Sequence, residues 1–185
     1  MGSRRRVFRN SRAFTLVELM AVVSIVAILA VIAIVGFRKY LDYAHSAEAV
    51  NMVGAIKSAE EAYRAETLSY YNVSTNLKAY YPRTAVDDKK MAWGGAAGDN
   101  PDGWRRLNVT VDGPVMYGYA VVAGAPGVAP PSGDLEVTSK PTFPAAPAEP
   151  WYVIQAKGDI NADGKYGYAL GSSFTPDVYR ENEGD

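Results

Sequence analysis

The sequence predicts an α+β protein in which one long N-terminal helix packs on a roughly four-stranded antiparallel sheet. Three features predict this class: an uncharged apolar run from Leu19 to Phe37, a helical apolar stripe that continues to Leu68, and alternating apolar segments after residue 107. A helix and a sheet each have an apolar face to bury, and packing one on the other buries both.

The first element is an apolar helix behind a short basic leader. The run from Leu19 to Phe37 covers roughly 28 Å as a helix and matches the ~30 Å core of a bilayer. It is longer than the apolar core of an ordinary secretory signal, and no small-residue cleavage site follows it. The leader, residues 1–13, contains Arg4, Arg5, Arg6, Arg9 and Arg12. The positive-inside rule therefore places the N terminus in the cytoplasm and the rest of the chain outside.

One acidic residue, Glu18, stands at the start of this apolar helix. A plain signal anchor explains the apolar length but not the acid, because a carboxylate near lipid is costly and is usually functional. The order Ala13-Phe14-Thr15-Leu16-Val17-Glu18, between a basic leader and a long apolar helix, resembles the class III signal of type IV prepilins.

The resemblance implies processing at the leader. A prepilin peptidase and methyltransferase would cut between Ala13 and Phe14 and would N-methylate Phe14. Glu18 would then act in assembly by pairing with the new amino group of a neighbouring copy, since a buried carboxylate is tolerated when it meets a cation. The chain departs from the usual family pattern at Ala13, where the family has Gly, and at Val35, where it commonly has Pro.

The resemblance also implies a structural role. The chain would sit in the inner membrane, contact an inner-membrane assembly platform, and polymerise with copies of itself and related pilins into a helical pilus at the cell surface. A pseudopilin of a type II secretion system is the nearest alternative. A monomeric, membrane-anchored binding module or adhesin is another, and the residues leave open whether a filament would serve motility, adhesion, DNA uptake or secretion.

Residues 38–68 continue as an amphipathic helical segment, so one helix of about 55 residues is predicted from Phe14 to Leu68. The lone His45 is expected at its surface. Apolar residues recur at spacings near three and four, at Phe37, Tyr40, Leu41, Ala44, Ala47, Val50, Val53, Ile56, Ala59, Ala62 and Tyr63.

The rest of the chain predicts one extracytoplasmic domain. Residues 69–106 form a connecting loop that Trp93 and Trp104 pin to the core, and residues 107–185 form the sheet and a C-terminal tail. Strands are expected at 107–111 and 115–122, joined by a hairpin at Asp112-Gly113, and again at 151–156 and 165–170. Residues 125–150, which we call the Pro-rich segment, form an extended surface excursion.

Asp159, Asn161 and Asp163 have the alternating spacing of a calcium loop. The pattern then departs from an EF-hand, because Leu170 stands where the bidentate acid belongs and strands flank the loop. Asp177 and Glu181 are candidate outside ligands for a calcium shell. The alternative is a polar hairpin turn, since Asp, Asn and Gly also favour turns.

Several functional classes are disfavoured. The chain has no cysteine, one histidine and no nucleophile-elbow context for its serines, so no disulfide, thiolate metal site or catalytic arrangement is expected. Loss of the leader's arginines lowers the formal net charge from −1 to about −6, which argues against broad nucleic-acid binding. The clustered tyrosines at strand spacing are expected to pack in the sheet.

Overall fold

The computed structural model describes residues 14–84, 86–94 and 100–183. The chain divides into two compact units, with the boundary between Arg38 and Lys39. The elements run in the order α1 (Leu16–Thr67), β1 (Met91–Ala92), α2 (Pro101–Arg106), β2 (Pro114–Val115), β3 (Gly118–Gly124), a 3-10 turn (Ser132–Asp134), β4 (Trp151–Gly158), β5 (Gly167–Ser172) and β6 (Thr175–Glu181). The predicted α+β class is confirmed, because a long apolar helix precedes a four-stranded antiparallel sheet.

Helix α1 contains no break at Val35 or Gly36, as the lack of a proline predicted. It ends at Thr67, one residue before the predicted end, because Leu68 adopts a left-handed conformation with φ 61°. A left-handed residue after the last helical turn is a common helix terminus.

In the C-terminal unit, one stripe of α1 is buried. Val53 and Ile56 are fully buried, as the sequence predicted, whereas Ala47 and Ala62 are exposed. The buried stripe consists of Ser46, Ala49, Met52, Val53, Ile56 and Glu60. The stripe keeps the predicted helical spacing, but it includes a carboxylate, Glu60, at a position where the sequence pattern predicts no buried acid.

The sheet has the order β3-β4-β5-β6, with every pair antiparallel. Alternate residues of β4 contribute to two apolar clusters, as the pleat of a strand requires. Tyr152, Ile154 and Ala156 pack in the cluster that contains the buried α1 residues. Trp151 and Val153 pack in a second cluster, with Leu77, Leu135, Val137 and Leu170.

The Pro-rich segment is more than a surface excursion, because Leu135 and Val137 are buried in the second cluster. A buried polar network fixes the segment to β4. The Gln155 side-chain amide donates to the Leu77 carbonyl at 3.0 Å and to the Tyr80 hydroxyl at 2.8 Å. The Tyr80 hydroxyl donates to Glu136 at 2.5 Å, and the Glu136 N–H donates to the Gln155 side-chain oxygen at 3.0 Å.

The predicted strand at 107–111, and with it the hairpin at Asp112-Gly113, is wrong. This stretch instead follows α2, and the β2 strand after it pairs with β1 rather than with its own preceding residues. The tryptophans explain the difference: Trp104 is fully buried, the Val109 N–H donates to the Trp104 carbonyl at 3.2 Å, and the Trp93 indole donates to the Val109 carbonyl at 3.0 Å. These bonds use backbone groups that a strand would need.

Two further differences concern element content. The connecting segment 69–106 contains β1 and α2, and α2 begins at an Asn100 cap whose side chain accepts the Gly103 N–H at 3.0 Å. The fourth strand of the sheet is β6, within the predicted tail. Strand β6 is mostly exposed and carries Pro176, Asp177 and Arg180, so it lacks the apolar alternation by which strands are recognised.

Candidate functional site

The apolar part of α1 has no protein cover. Leu16–Phe37 is the one helical segment of the described chain that is long and apolar enough to cross a membrane. Every large apolar side chain from Phe14 to Phe37 is more than half exposed. An exposed apolar surface of this extent requires lipid or other protein around it.

The N terminus of this helix is closed by a reciprocal pair of side chains. The Glu18 carboxylate accepts hydrogen bonds from the Thr15 N–H at 2.9 Å and from the Thr15 hydroxyl at 2.8 Å. The Thr15 hydroxyl oxygen in turn accepts the Glu18 N–H at 3.2 Å. This is a capping box, in which Thr and Glu three residues apart satisfy backbone donors that the first helical turn leaves free.

The segment that contains this cap also carries a family signature. Residues 8–34 match the family model described as the prokaryotic N-terminal methylation motif. This motif is the class III signal of type IV prepilins. No curated protein and no solved structure matches the chain significantly.

The methylation motif indicates a pilin-like or pseudopilin protein and implies processing by a prepilin peptidase and assembly into pilin-type filaments. It is a structural signal rather than the mark of an enzyme family. Together with the apolar helix, it is consistent with membrane anchoring.

The structure places two of the three motif residues singled out from the sequence. Phe14 is 80% exposed and directly precedes Thr15. Glu18 is exposed and already engaged with the N–H that follows Phe14. Ala13 lies outside the described residues. The Thr15 N–H binds the Glu18 carboxylate, and Phe14 is the residue directly before Thr15. A cut before Phe14 would therefore create the new amino group one residue away from that N–H.

The candidate calcium residues lie between β4 and β5, the hairpin that the sequence predicted. The Asn161 side-chain oxygen accepts the Asp163 N–H at 2.9 Å, and the Asp163 carboxylate accepts the Lys165 N–H at 2.8 Å. That backbone bond, aided by the Lys165 ammonium 3.3 Å away, lowers the pKa of Asp163. These are the local bonds of a polar turn.

Asp159 differs from its two neighbours in the loop. Asp159 is 8% exposed, and its Oδ1 is buried without a hydrogen-bond partner. In the part of the chain that the structure describes, no three His, Cys, Asp or Glu side chains form a group suited to a metal. Glu181, one proposed outside ligand, binds the Thr138 N–H at 2.9 Å instead.

The clustered tyrosines behave largely as packing residues. Tyr117, Tyr119 and Tyr152 are buried in the core, which confirms that expectation for them. Tyr166 lies over the Lys157 ammonium, 4.0 Å from the ring centroid, and Lys157 also pairs with Glu136 at 3.1 Å. The lysine therefore occupies the face of this ring.

Two titratable residues are less exposed than the sequence predicts. Glu60 is fully buried; its Oε2 accepts the Tyr71 N–H at 2.9 Å, and its Oε1 has no hydrogen-bond partner. Burial raises the pKa of Glu60 to about 8. Its position four residues after Ile56 on the apolar stripe was a usable signal. His45 is half-buried, and its Nδ1 is likewise unpartnered.

Proposed function

We propose that this chain is a structural subunit of a type IV pilus, made as a prepilin and polymerised through its N-terminal helix. The observation that carries the proposal is the methylation motif at residues 8–34, which includes most of the exposed apolar helical segment and Glu18 in its first turn. The helix crosses the inner membrane before assembly and occupies the filament interior afterwards. Either environment covers the apolar surface that the chain itself leaves open.

Processing supplies the partner for Glu18. Removal of residues 1–13 leaves an α-amino group on Phe14, and methylation keeps its charge while adding apolar surface. In a low-dielectric setting, a carboxylate and an ammonium group stabilise each other only when they are close and hydrogen-bonded. We propose that the Glu18 carboxylate of one subunit meets the Phe14 amino group of a neighbour, and that this pairing sets the register of assembly.

The processing step is tested by intact mass and N-terminal sequencing of the protein extracted from membranes, with and without a co-expressed prepilin peptidase. With the peptidase, the chain should begin at Phe14 and carry one added methyl group. The Ala13→Gly variant should be cut at least as well, whereas Ala13→Leu should stay uncut because its side chain is larger. A product that retains Arg4 to Arg12 beside an active peptidase contradicts the proposal.

Two alternatives share the motif. A secretion pseudopilin would polymerise by the same helix. Deletion of the gene separates the two classes: loss of surface filaments indicates a pilin, and loss of protein export indicates a pseudopilin. A monomeric, membrane-anchored binding module would stay in the membrane after processing. Purification of surface filaments and identification of their subunits separates that module from both filament proteins.

A calcium ion at the connection between β4 and β5 is a second proposal. The observation that favours it is the buried, unpartnered Oδ1 of Asp159, since a buried carboxylate oxygen without a partner is unusual. Asp163 and the Asn161 side chain would supply further oxygens after release of their turn bonds, with backbone carbonyls and water completing the shell.

A further inference from the structure

A pocket of about 430 Å³ opens between the Pro-rich segment and the hairpin of β5 and β6. Phe143, Phe174 and Tyr179 provide aromatic walls, and Leu170 lies among the lining residues. The volume is within the range of small-molecule sites, which combine apolar walls with a few fixed polar groups. None of the lining side chains carries a charge.

The aromatic walls are accessible. Among the described residues after Leu68, the exposed large apolar side chains are Val128, Phe174 and Tyr179, and the last two line the pocket. Phe174 and Tyr179 are 37% and 38% exposed. The rings of Phe143 and Phe174 lie 5.3 Å apart at 33°, so these two aromatic walls pack against each other.

The polar groups of the pocket are fixed but not saturated. The Ser172 hydroxyl oxygen accepts the Phe174 N–H at 3.3 Å, and the Thr175 hydroxyl oxygen accepts the Asp177 N–H at 3.2 Å. Each hydroxyl keeps its own O–H as a donor, and Thr175 is exposed whereas Ser172 is buried. The Tyr179 hydroxyl donates to Glu181 at 3.0 Å, which leaves its oxygen as an acceptor.

The same glutamate joins the two sides of the pocket. Glu181 accepts the Thr138 N–H from the Pro-rich segment and the Tyr179 hydroxyl from β6. Both walls are therefore held in place before any ligand arrives. A preformed site loses less free energy to ordering on binding.

We propose that this pocket binds a neutral saccharide. A pyranose ring has apolar C–H faces that pack on aromatic rings and hydroxyl groups that both donate and accept hydrogen bonds. The pocket offers both kinds of contact: exposed rings, and hydroxyls with free donor and acceptor capacity. A sialylated or phosphorylated glycan would find no cation among the lining side chains, and a wholly apolar ligand would cover these hydroxyls without satisfying them.

The proposal goes beyond filament assembly and is tested with the full processed chain in a detergent that has no sugar headgroup. Saturation-transfer NMR is recorded with methyl glycosides of neutral hexoses and N-acetylhexosamines, and with sialyllactose as the charged comparison. We expect transfer to the ring protons of at least one neutral glycoside. Phe174→Ala and Tyr179→Ala should each weaken its binding about tenfold or more, and Val128→Ala, which removes an exposed apolar side chain elsewhere, should not.

A second variant covers the case in which truncation disturbs the hairpin. Thr142→Val keeps the shape of a lining side chain and removes its hydroxyl, so it should weaken binding while leaving the melting temperature unchanged. The absence of transfer to every neutral glycoside overturns the proposal. So does binding that is equal in wild type, Phe174→Ala and Thr142→Val, or binding confined to sialyllactose.

Discussion

At residue 60, the buried stripe of α1 carries a carboxyl group where its spacing calls for an apolar side chain. Glu60 lies on the stripe with Val53 and Ile56 and accepts one hydrogen bond, from the Tyr71 N–H. The adjacent Glu61 carboxylate adds to the effect of burial, so the neutral acid is favoured in the folded state. The bond also ties the segment after α1 back to the helix.

Replacement of Glu60 by Gln should remove a pH dependence of stability. The pKa of Glu60 is raised from 4.5 to about 8, so the folded protein binds more protons than the unfolded chain between these values. The stabilisation that the protonated Glu60 carboxyl gives to the folded state is therefore fully present below about pH 4.5 and is lost as the pH rises to about 8. The melting temperature of wild type relative to Glu60→Gln should fall across this window.

Tryptophan fluorescence is a suitable measurement, because Trp93, Trp104 and Trp151 all lie in the C-terminal unit. Glu66→Gln is the matched control: it removes one carboxylate from an exposed position of the same helix and should leave the pH profile like that of wild type. Parallel profiles for wild type and Glu60→Gln would show that the buried carboxyl does not titrate in this range.

At the scale of elements, the sequence predicts correctly those helices and strands whose apolar spacing matches the face that they bury in the fold. The helix of Val53 and Ile56 and the strand that begins at Trp151 have apolar spacing that matches the faces they bury. Leu107, Val109 and Val111 also alternate, yet they pack around Trp104 without pairing as a strand. Alternation of apolar residues indicates which side chains are buried. It does not specify which backbone N–H and C=O groups are free to pair with another strand.

Strand β6 shows the opposite case. Its pairing with β5 comes from the tight turn after Ser172 and from the open edge of the sheet, neither of which requires apolar residues. Glu60 and the pocket beside Phe174 were missed for a related reason. Burial of Glu60 involves Tyr71, which lies beyond the end of the helix, and the pocket involves the Pro-rich segment. The residue pattern within one element does not predict contacts with other segments.

The connection between β4 and β5 provides the element-scale prediction. If Asp159, Asn161 and Asp163 bind calcium, the folded state gains stability by preferential binding, and the melting temperature rises with calcium concentration. The processed chain should then melt higher in millimolar calcium than in chelator. The double variant Asp159→Ala and Asp163→Ala should lose the difference, and Asp112→Ala, which removes one carboxylate from another exposed connection, should keep it.

The polar-turn interpretation gives the contrary result. Asn161 and Asp163 already bind backbone N–H groups at 2.9 and 2.8 Å, so a turn needs no ion. An unchanged melting temperature in the unmutated chain, together with no measurable heat of calcium binding, would assign the loop to that role alone.

At the scale of the whole molecule, the two units differ in how their apolar side chains are covered. The C-terminal unit buries its own core, which includes Ile56, Tyr119 and Ile154 at zero exposure. The N-terminal unit leaves its large apolar side chains from Phe14 to Phe37 exposed. The sequence predicted this contrast because an uncharged run and an amphipathic stripe have different compositions. The packing of neighbouring copies is not encoded in any such local pattern.

Glu18 has an observed role in the helix cap and a proposed role in assembly, and an assembly experiment can separate the two. Its carboxylate completes a capping box with Thr15 and so stabilises the helix terminus. The proposed assembly role needs its negative charge as well, to meet the Phe14 amino group of a neighbour. Glu18→Ala removes both, so a loss of filaments in that variant does not distinguish the cap from the charge.

Glu18→Gln makes the distinction, because a glutamine side chain still accepts hydrogen bonds at this position of a capping box but carries no charge. We expect Glu18→Gln to be inserted and processed normally, to keep the fluorescence melting of the C-terminal unit, and to be incorporated into filaments as poorly as Glu18→Ala. Thr15→Val, which keeps the charge and loses the hydroxyl contacts, should assemble better than either. Quantification of sheared surface filaments against membrane-retained protein measures the three variants. Wild-type incorporation of Glu18→Gln would show that the carboxylate serves the helix cap and not a charge pair between subunits.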